Sequence, residues 1–225
     1  MRKPRVGVVL SGCGYLDGAE IHESVLTMLA LDKAGCELVL TAPDRPQADV
    51  VDHLTGKPQK EVRNVLVESA RIARGKVKDV REVKAADVDA VVLPGGFGAA
   101  KNVCDFALKG EACTVDAGVE KLLREVHAQG KPIGALCIAP AVLARLFGKE
   151  RPQLTIGTDA GTAAALEKWG ARHEPCRIGG VVVDDAARLV TTPAYMLAPT
   201  LKELAADAEK LVTELLRLVR KPAAA

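Results

Sequence analysis

Cys137 lies between an apolar run, Pro132–Leu136, and an apolar helical stretch, Ile138–Phe147. A sharp strand-to-helix turn of that kind exposes a nucleophile and leaves the next residue's N–H free to hold an oxyanion. The partial positive charge of a helix N-terminus also favours a thiolate, and can lower a thiol's pKa into roughly the 3.5–7.5 range. The expectation is a low-pKa Cys137 with the Ile138 N–H aimed where an oxyanion would form. A second donor is expected from Gly95-Gly96, because glycine lets backbone approach a substrate closely. A reactive thiol also needs a group that handles protons. Glu20, at the start of a helix after the first strand, is the candidate; burial and like charge would keep its carboxyl protonated and able to donate to sulfur. The competing reading of Glu20 is a helix-start acid that complements the dipole, which also suits Glu23. His22, two residues on, is read as structural or at the rim.

The elements that would position these residues are legible as alternating apolar runs and amphipathic segments. Val6–Leu10, Glu37–Thr41, Ala90–Leu93, Pro132–Leu136, Leu154–Gly157, Val181–Val183 and Leu189–Thr191 read as strands. Ala19–Lys33, Asn64–Arg74, Val115–Gln129, Ile138–Phe147 and Leu201–Val219 read as helices, the first with its cap region at Asp17-Gly18 and its end at Gly35. Pro140 falls in the first turn of its helix, where proline is tolerated. Pro43–Lys60, with three prolines, reads as loop with a short hairpin, and the tail 221–225 is expected to fray. Short β-branched strands separated by helices indicate a mostly parallel sheet covered on both faces, in a single domain spanning 1–225. Ligands bind outside the carboxyl ends of such strands, where the glycine-rich loops after Leu10, Leu93 and Leu136 would meet.

Composition narrows the function classes. Among 225 residues, Lys and Arg number 31 against 29 Asp and Glu, a net charge of only +2, so no basic field exists to hold a polyanion. Aromatics are 3% of the chain, too few for a base-stacking platform, and nucleic acid is not an expected partner. The longest uncharged stretches, Pro132–Ala144 and Leu189–Leu201, are short and contain proline, and the start of the chain has no apolar signal segment. A cytoplasmic protein without membrane contact is expected. The cysteines Cys13, Cys36, Cys104, Cys113 and Cys176 have neither disulfide-framework nor zinc spacing and are read as reduced packing thiols, with no metal site expected.

Four motifs in order carry a resemblance: Asp17-Gly18-Ala19-Glu20-Ile21-His22-Glu23, Leu93-Pro94-Gly95-Gly96-Phe97-Gly98, Gly134-Ala135-Leu136-Cys137-Ile138-Ala139-Pro140 and Thr192-Pro193-Ala194-Tyr195-Met196-Leu197. With them the chain resembles the PfpI/ThiJ superfamily of class I glutamine amidotransferase-like proteins, and within it the ElbB branch, from about Arg5 to Val219. The resemblance implies a flavodoxin-like three-layer α/β sandwich, a homodimer, Cys137 as nucleophile, Glu20 as its acidic partner, and Gly96 and Ile138 as backbone donors of the oxyanion pocket. It further implies cofactor-independent glyoxalase chemistry on a small reactive aldehyde, glyoxal or methylglyoxal. The alternative is a redox- or electrophile-responsive regulatory protein using the same thiol, linked indirectly to isoprenoid metabolism. The chain departs from many superfamily members at the third position of the triad. Ile138 follows the cysteine where others carry histidine, and Gly157-Thr158-Asp159 and Thr192-Pro193-Ala194 occupy the other places. His173-Glu174, in a segment read as loop, does not restore a triad. Glutamine and peptide hydrolysis, which need a base to activate the thiol and protonate a poor leaving group, are disfavoured.

Overall fold

Runs of Val, Leu and Ile too short to be helices build the centre of the molecule. The computed structural model describes residues 2–221. Its strands are β1 (Arg5–Val9), β2 (Glu37–Ala42), β3 (Val51–Asp52), β4 (Lys57–Pro58), β5 (Lys78–Asp79), β6 (Ala90–Leu93), β7 (Ile133–Leu136), β8 (Gln153–Leu154), β9 (Arg172–His173), β10 (Val182–Asp184) and β11 (Leu189–Thr192). The helices are α1 (Ile21–Lys33), α2 (Val65–Ile72), a single turn α3 (Phe106–Lys109), α4 (Ala117–Ala128), α5 (Pro140–Phe147), α6 (Ala160–Lys168) and α7 (Leu201–Arg220). Seven strands form one sheet in the order β10-β11-β7-β6-β1-β2-β5. Every neighbouring pair is parallel except β10–β11, at one edge.

Alternation along the strands divides the core into two layers. Val91 and Leu93 face a cluster with Val119, Leu123, Leu143 and Leu166 of α4, α5 and α6. Ala90 and Val92 face the opposite cluster, with Leu31, Val65, Leu204 and Leu211 of α1, α2 and α7. The result is the expected flavodoxin-like α/β sandwich, a mostly parallel sheet flanked by helices. From β1 the chain passes through α1 to β2 on one side, and from β6 it passes to β7 on the other, although β1 and β6 are neighbours. Their carboxyl ends are thus a topological switch point, where loops part and leave a crevice.

Local differences from the expected elements have identifiable causes. Helix α1 is capped by Glu20, whose carboxylate accepts from the Glu23 N–H at 2.6 Å. Asp17, a better cap by type, is instead buried and accepts from the Val51 N–H at 2.7 Å. Helix α6 lies where no helix was expected, because Ala160-Gly161-Thr162-Ala163-Ala164 carries little apolar contrast. The segment after Leu154 does not continue as a strand, and β8 pairs with β9 outside the main sheet. His173 is therefore strand rather than loop. The hairpin expected within Pro43–Lys60 is the β3–β4 pair. Of the tail expected to fray, Lys221 closes α7 and places its ammonium 3.0 Å from Asp185; residues 222–225 lie outside the described residues.

Candidate active site

Strand β7 ends at Leu136, and α5 begins with Pro140 in its first turn, so Cys137 has to turn the chain sharply between them. It does so at φ +59°, a left-handed conformation that costs roughly 1–2 kcal/mol in a residue bearing a Cβ. The Cys137 N–H donates to Thr192 O at 3.0 Å, and the Ala139 N–H donates to Leu136 O at 2.9 Å, which pins the turn. The N–H groups of Gly96 and Ile138 both point at the Cys137 sulfur. Glycine is required in the facing loop. A Cβ on Gly95 would lie 2.5 Å from Cys137 Cβ and 2.7 Å from Glu23 Oε2, and Gly96, at φ +88°, would drive one into the Glu20 N–H.

Helix α1 supplies the acids, and its true start decides which of them meets the thiol. Glu20 spends its carboxylate as the cap, while its own N–H donates to Gly95 O at 2.9 Å. Glu23, one turn on, is fully buried and aimed at the sheet edge. Its Oε2 accepts from the Gly95 N–H at 2.7 Å, its Oε1 accepts from the Tyr195 N–H at 3.2 Å, and the carboxyl hydrogen-bonds the Cys137 sulfur. The acidic contact expected from Glu20 is therefore made by Glu23.

Electrostatics at the site also differ from the expectation of a low-pKa thiolate. Cys137 is buried, and desolvation followed by the charge of Glu23 pushes its thiol well above the ordinary range, against the opposing pull of the Gly96 and Ile138 N–H groups. Burial and then the charge of Glu20 push Glu23 up to about 7. Burial likewise raises Glu20. A carboxyl that titrates near 7 in contact with an un-ionised thiol forms a coupled pair, suited to taking the thiol proton as a bond forms at sulfur.

Cys137, Glu20, Gly96 and Ile138 all line one cavity of about 820 Å3 at the switch point. The site is thus assembled from the expected residues plus Glu23 beneath them. His22 also faces this cavity, half exposed at its rim, with Nδ1 2.9 Å from the Tyr195 hydroxyl and 3.8 Å from Glu20 Oε1. Tyr195 comes from the late motif after β11, where its side chain could not be assigned a role without knowing that it turns back over α1. Asp159, left outside the expected site, lines the cavity and caps α6 through the Thr162 N–H at 2.8 Å. His173 is not among the lining residues. Among the described residues no cluster of three His, Cys, Asp or Glu side chains is arranged to hold a metal ion.

Residues 13–202 match the DJ-1/PfpI family, and the chain belongs to it. It is 43% identical to human "Glutamine amidotransferase-like class 1 domain-containing protein 3, mitochondrial", an alignment covering 96% of this chain and 84% of that protein. It is 42% identical to the rat "ES1 protein homolog, mitochondrial", over 97% of this chain and 85% of that one. A crystal structure from Ehrlichia chaffeensis, described as an isoprenoid biosynthesis protein with amidotransferase-like domain, superposes with a TM-score of 0.87 at 36% identity, covering 95% of this chain and 99% of that one. No described helix is long and apolar enough to cross a membrane.

Proposed function

We propose that the protein is a cofactor-independent glyoxalase that converts glyoxal, and methylglyoxal, to the corresponding hydroxy acid through a Cys137 hemithioacetal. The observation that carries this reading is the buried Glu23 carboxyl in contact with the Cys137 sulfur, beside the Gly96 and Ile138 N–H groups, with Cys137 itself lining a cavity. Glu23 accepts the thiol proton as sulfur adds to the aldehyde carbon. The two N–H groups hold the oxyanion until Glu23 returns the proton. The same carboxylate then removes the former aldehyde hydrogen, giving an enediol, and protonates the neighbouring carbon to leave a thioester. Water hydrolyses the thioester, and the thiol regains its proton. No preformed thiolate and no histidine partner are needed, because the base touches the nucleophile and no amine has to leave. Glu20 holds the helix start and tunes Glu23 by its charge.

An assignment to the ElbB branch, with an indirect link to isoprenoid metabolism, fits the description carried by the Ehrlichia relative. Six free thiols suit a reducing compartment, the cytoplasm in our reading, although the mammalian relatives are named mitochondrial. A homodimer is part of the same proposal. The redox-responsive alternative is weaker, because a peroxide-sensing thiol works as an exposed thiolate, and Cys137 is neither exposed nor readily ionised.

Glycolate formation from glyoxal by wild type, Cys137→Ser and Cys176→Ser tests the reading. Loss in Cys137→Ser alone is expected. Equal loss in both variants, or oxidation of Cys137 at low peroxide with negligible aldehyde turnover in wild type, would overturn it.

A further inference from the structure

Isomerisation of the hemithioacetal leaves one substrate oxygen without a partner. The Gly96 and Ile138 N–H groups serve the oxygen on the carbon bonded to Cys137. When Glu23 removes the hydrogen from that carbon, negative charge develops instead on the oxygen of the neighbouring carbonyl. The Glu20 carboxyl lines the same cavity, so an unpaired second oxyanion there is disfavoured, and a donor aimed at it would speed the step.

Tyr195 brings a hydroxyl to the cavity from the end of β11. The backbone there is tied to both reacting groups: Thr192 O accepts from the Cys137 N–H at 3.0 Å, and the Tyr195 N–H donates to Glu23 Oε1 at 3.2 Å. Between them Ala194, at φ +44°, turns the chain back, and the half-buried Tyr195 joins the lining. Burial, and then the charges of Glu20 and Glu23, push its phenol above the ordinary range, so it stays an O–H donor. His22 Nδ1 lies 2.9 Å from the hydroxyl, and Glu20 Oε1, 3.8 Å from the same nitrogen, favours the tautomer with its proton on Nδ1. That N–H donates to the Tyr195 oxygen and leaves the phenolic proton free for a ligand. Tyr15 and Thr162 also bring hydroxyls to the lining, but among the described residues no hydrogen bond ties either to Cys137 or Glu23.

Building on the glyoxalase reading, we infer that Tyr195 is a further catalytic residue, whose hydroxyl protonates the second oxygen of the dicarbonyl substrate, and that His22 is its positioning residue. As Glu23 takes the hydrogen from the first carbon as a proton, the electron pair of that bond becomes the carbon–carbon double bond. The pair of the second carbonyl moves onto its oxygen, which takes the Tyr195 proton. Glu23 then gives its proton to the second carbon. The first oxygen becomes the thioester carbonyl, and the proton it releases returns to Tyr195. One proton thus passes from the first oxygen to the second, and no outside oxidant or reductant is needed.

The test uses Tyr195→Phe, which keeps the ring and the backbone N–H on Glu23. Its glycolate formation from glyoxal should fall about 10²–10³-fold, the loss that follows removal of one oxyanion donor. Addition of sulfur does not involve the phenol, so glyoxal should still protect Cys137 from iodoacetamide at concentrations within a few fold of wild type. His22→Phe should lose roughly tenfold, and His22→Asn, whose amide can donate from the place of Nδ1, should recover most of that loss. Three results overturn the inference and leave the glyoxalase reading standing: turnover by Tyr195→Phe within a few fold of wild type, a loss of Cys137 protection that matches its loss of turnover, or equal rates for the two His22 variants. No glycolate from wild type overturns the glyoxalase reading, and the role of Tyr195 with it.

Discussion

Two thiol centres lie close to α5, and both are buried. Cys104 and Cys113 are 3% and 0% exposed, and Cys137 is 8% exposed. The Cys104 and Cys113 thiols are neighbours, the Cys104 thiol donates to Ala99 O at 3.2 Å, and Arg145 donates to Cys113 O at 2.8 Å. The neighbouring Cys104 thiol and then the Arg145 charge hold Cys113 below the ordinary thiol range despite burial. Cys137 is pushed the other way, by burial and by the charge of Glu23. By acidity alone Cys113 would be the nucleophile. Yet it is sealed in the core and its neighbour is another thiol, whereas Cys137 opens on a cavity and touches a carboxyl that titrates near 7. Acidity and reactivity separate in this molecule, and access together with a base in contact decides which thiol can work.

The comparison fails at once if removing the acidic thiol matters more than removing the accessible one. Cys137→Ser should lower glycolate formation by at least about a thousandfold, while Cys113→Ser stays within a few fold of wild type in the same assay. Native-state alkylation followed by peptide mass spectrometry sharpens the contrast. At pH 8, Cys137 should react with iodoacetamide at least about a hundredfold faster than Cys104 or Cys113, which become labelled only when the core opens. Parity between Cys113 and Cys137 would place acidity above access.

Smaller effects probe the frames around the two centres. Gly95→Ala forces a methyl against Cys137 Cβ, Glu23 Oε2 and Leu136 O, the last at 3.0 Å, and should cost about 1–3 kcal/mol in denaturant unfolding together with most of the activity. Cys104→Ala removes a small buried side chain and one weak hydrogen bond. A loss of about 1 kcal/mol with turnover retained is expected, since nothing in the Cys104–Cys113 pair faces the cavity lining.

The same contrast shows what could be read before the structure was known. Cys137 was legible because a nucleophile turn is local: an apolar strand, one residue and an apolar helix with proline at its start. The sheet was legible for the same reason, and β6 falls on Ala90–Leu93 as expected. The choice between Glu20 and Glu23 was not local. It depends on the residue at which α1 begins, and Asp17-Gly18 is a stronger cap signal than Glu20. Asp17 is drawn off by the Val51 N–H, a contact 34 residues away, so the cap moves to Glu20 and Glu23 turns inward. Tyr195 over His22 is a contact across 173 residues and leaves no mark in either segment. Helix α6 was missed because small residues give no amphipathic stripe, although Asp159 was available as its cap.

The decisive measurement is the pH dependence of kcat/KM for glyoxal in wild type, Glu23→Gln and Glu20→Gln. Glu23 acts as a base only when ionised, so the wild-type rate should rise through about pH 7 and level off above it. Glu20→Gln should keep that limb, shifted slightly to lower pH because a neighbouring negative charge is gone. Glu23→Gln should lose about 10²–10⁴ of the rate and the limb with it. An unchanged limb in Glu23→Gln, with the loss falling on Glu20→Gln instead, would contradict the assignment of Glu23 as the base for Cys137.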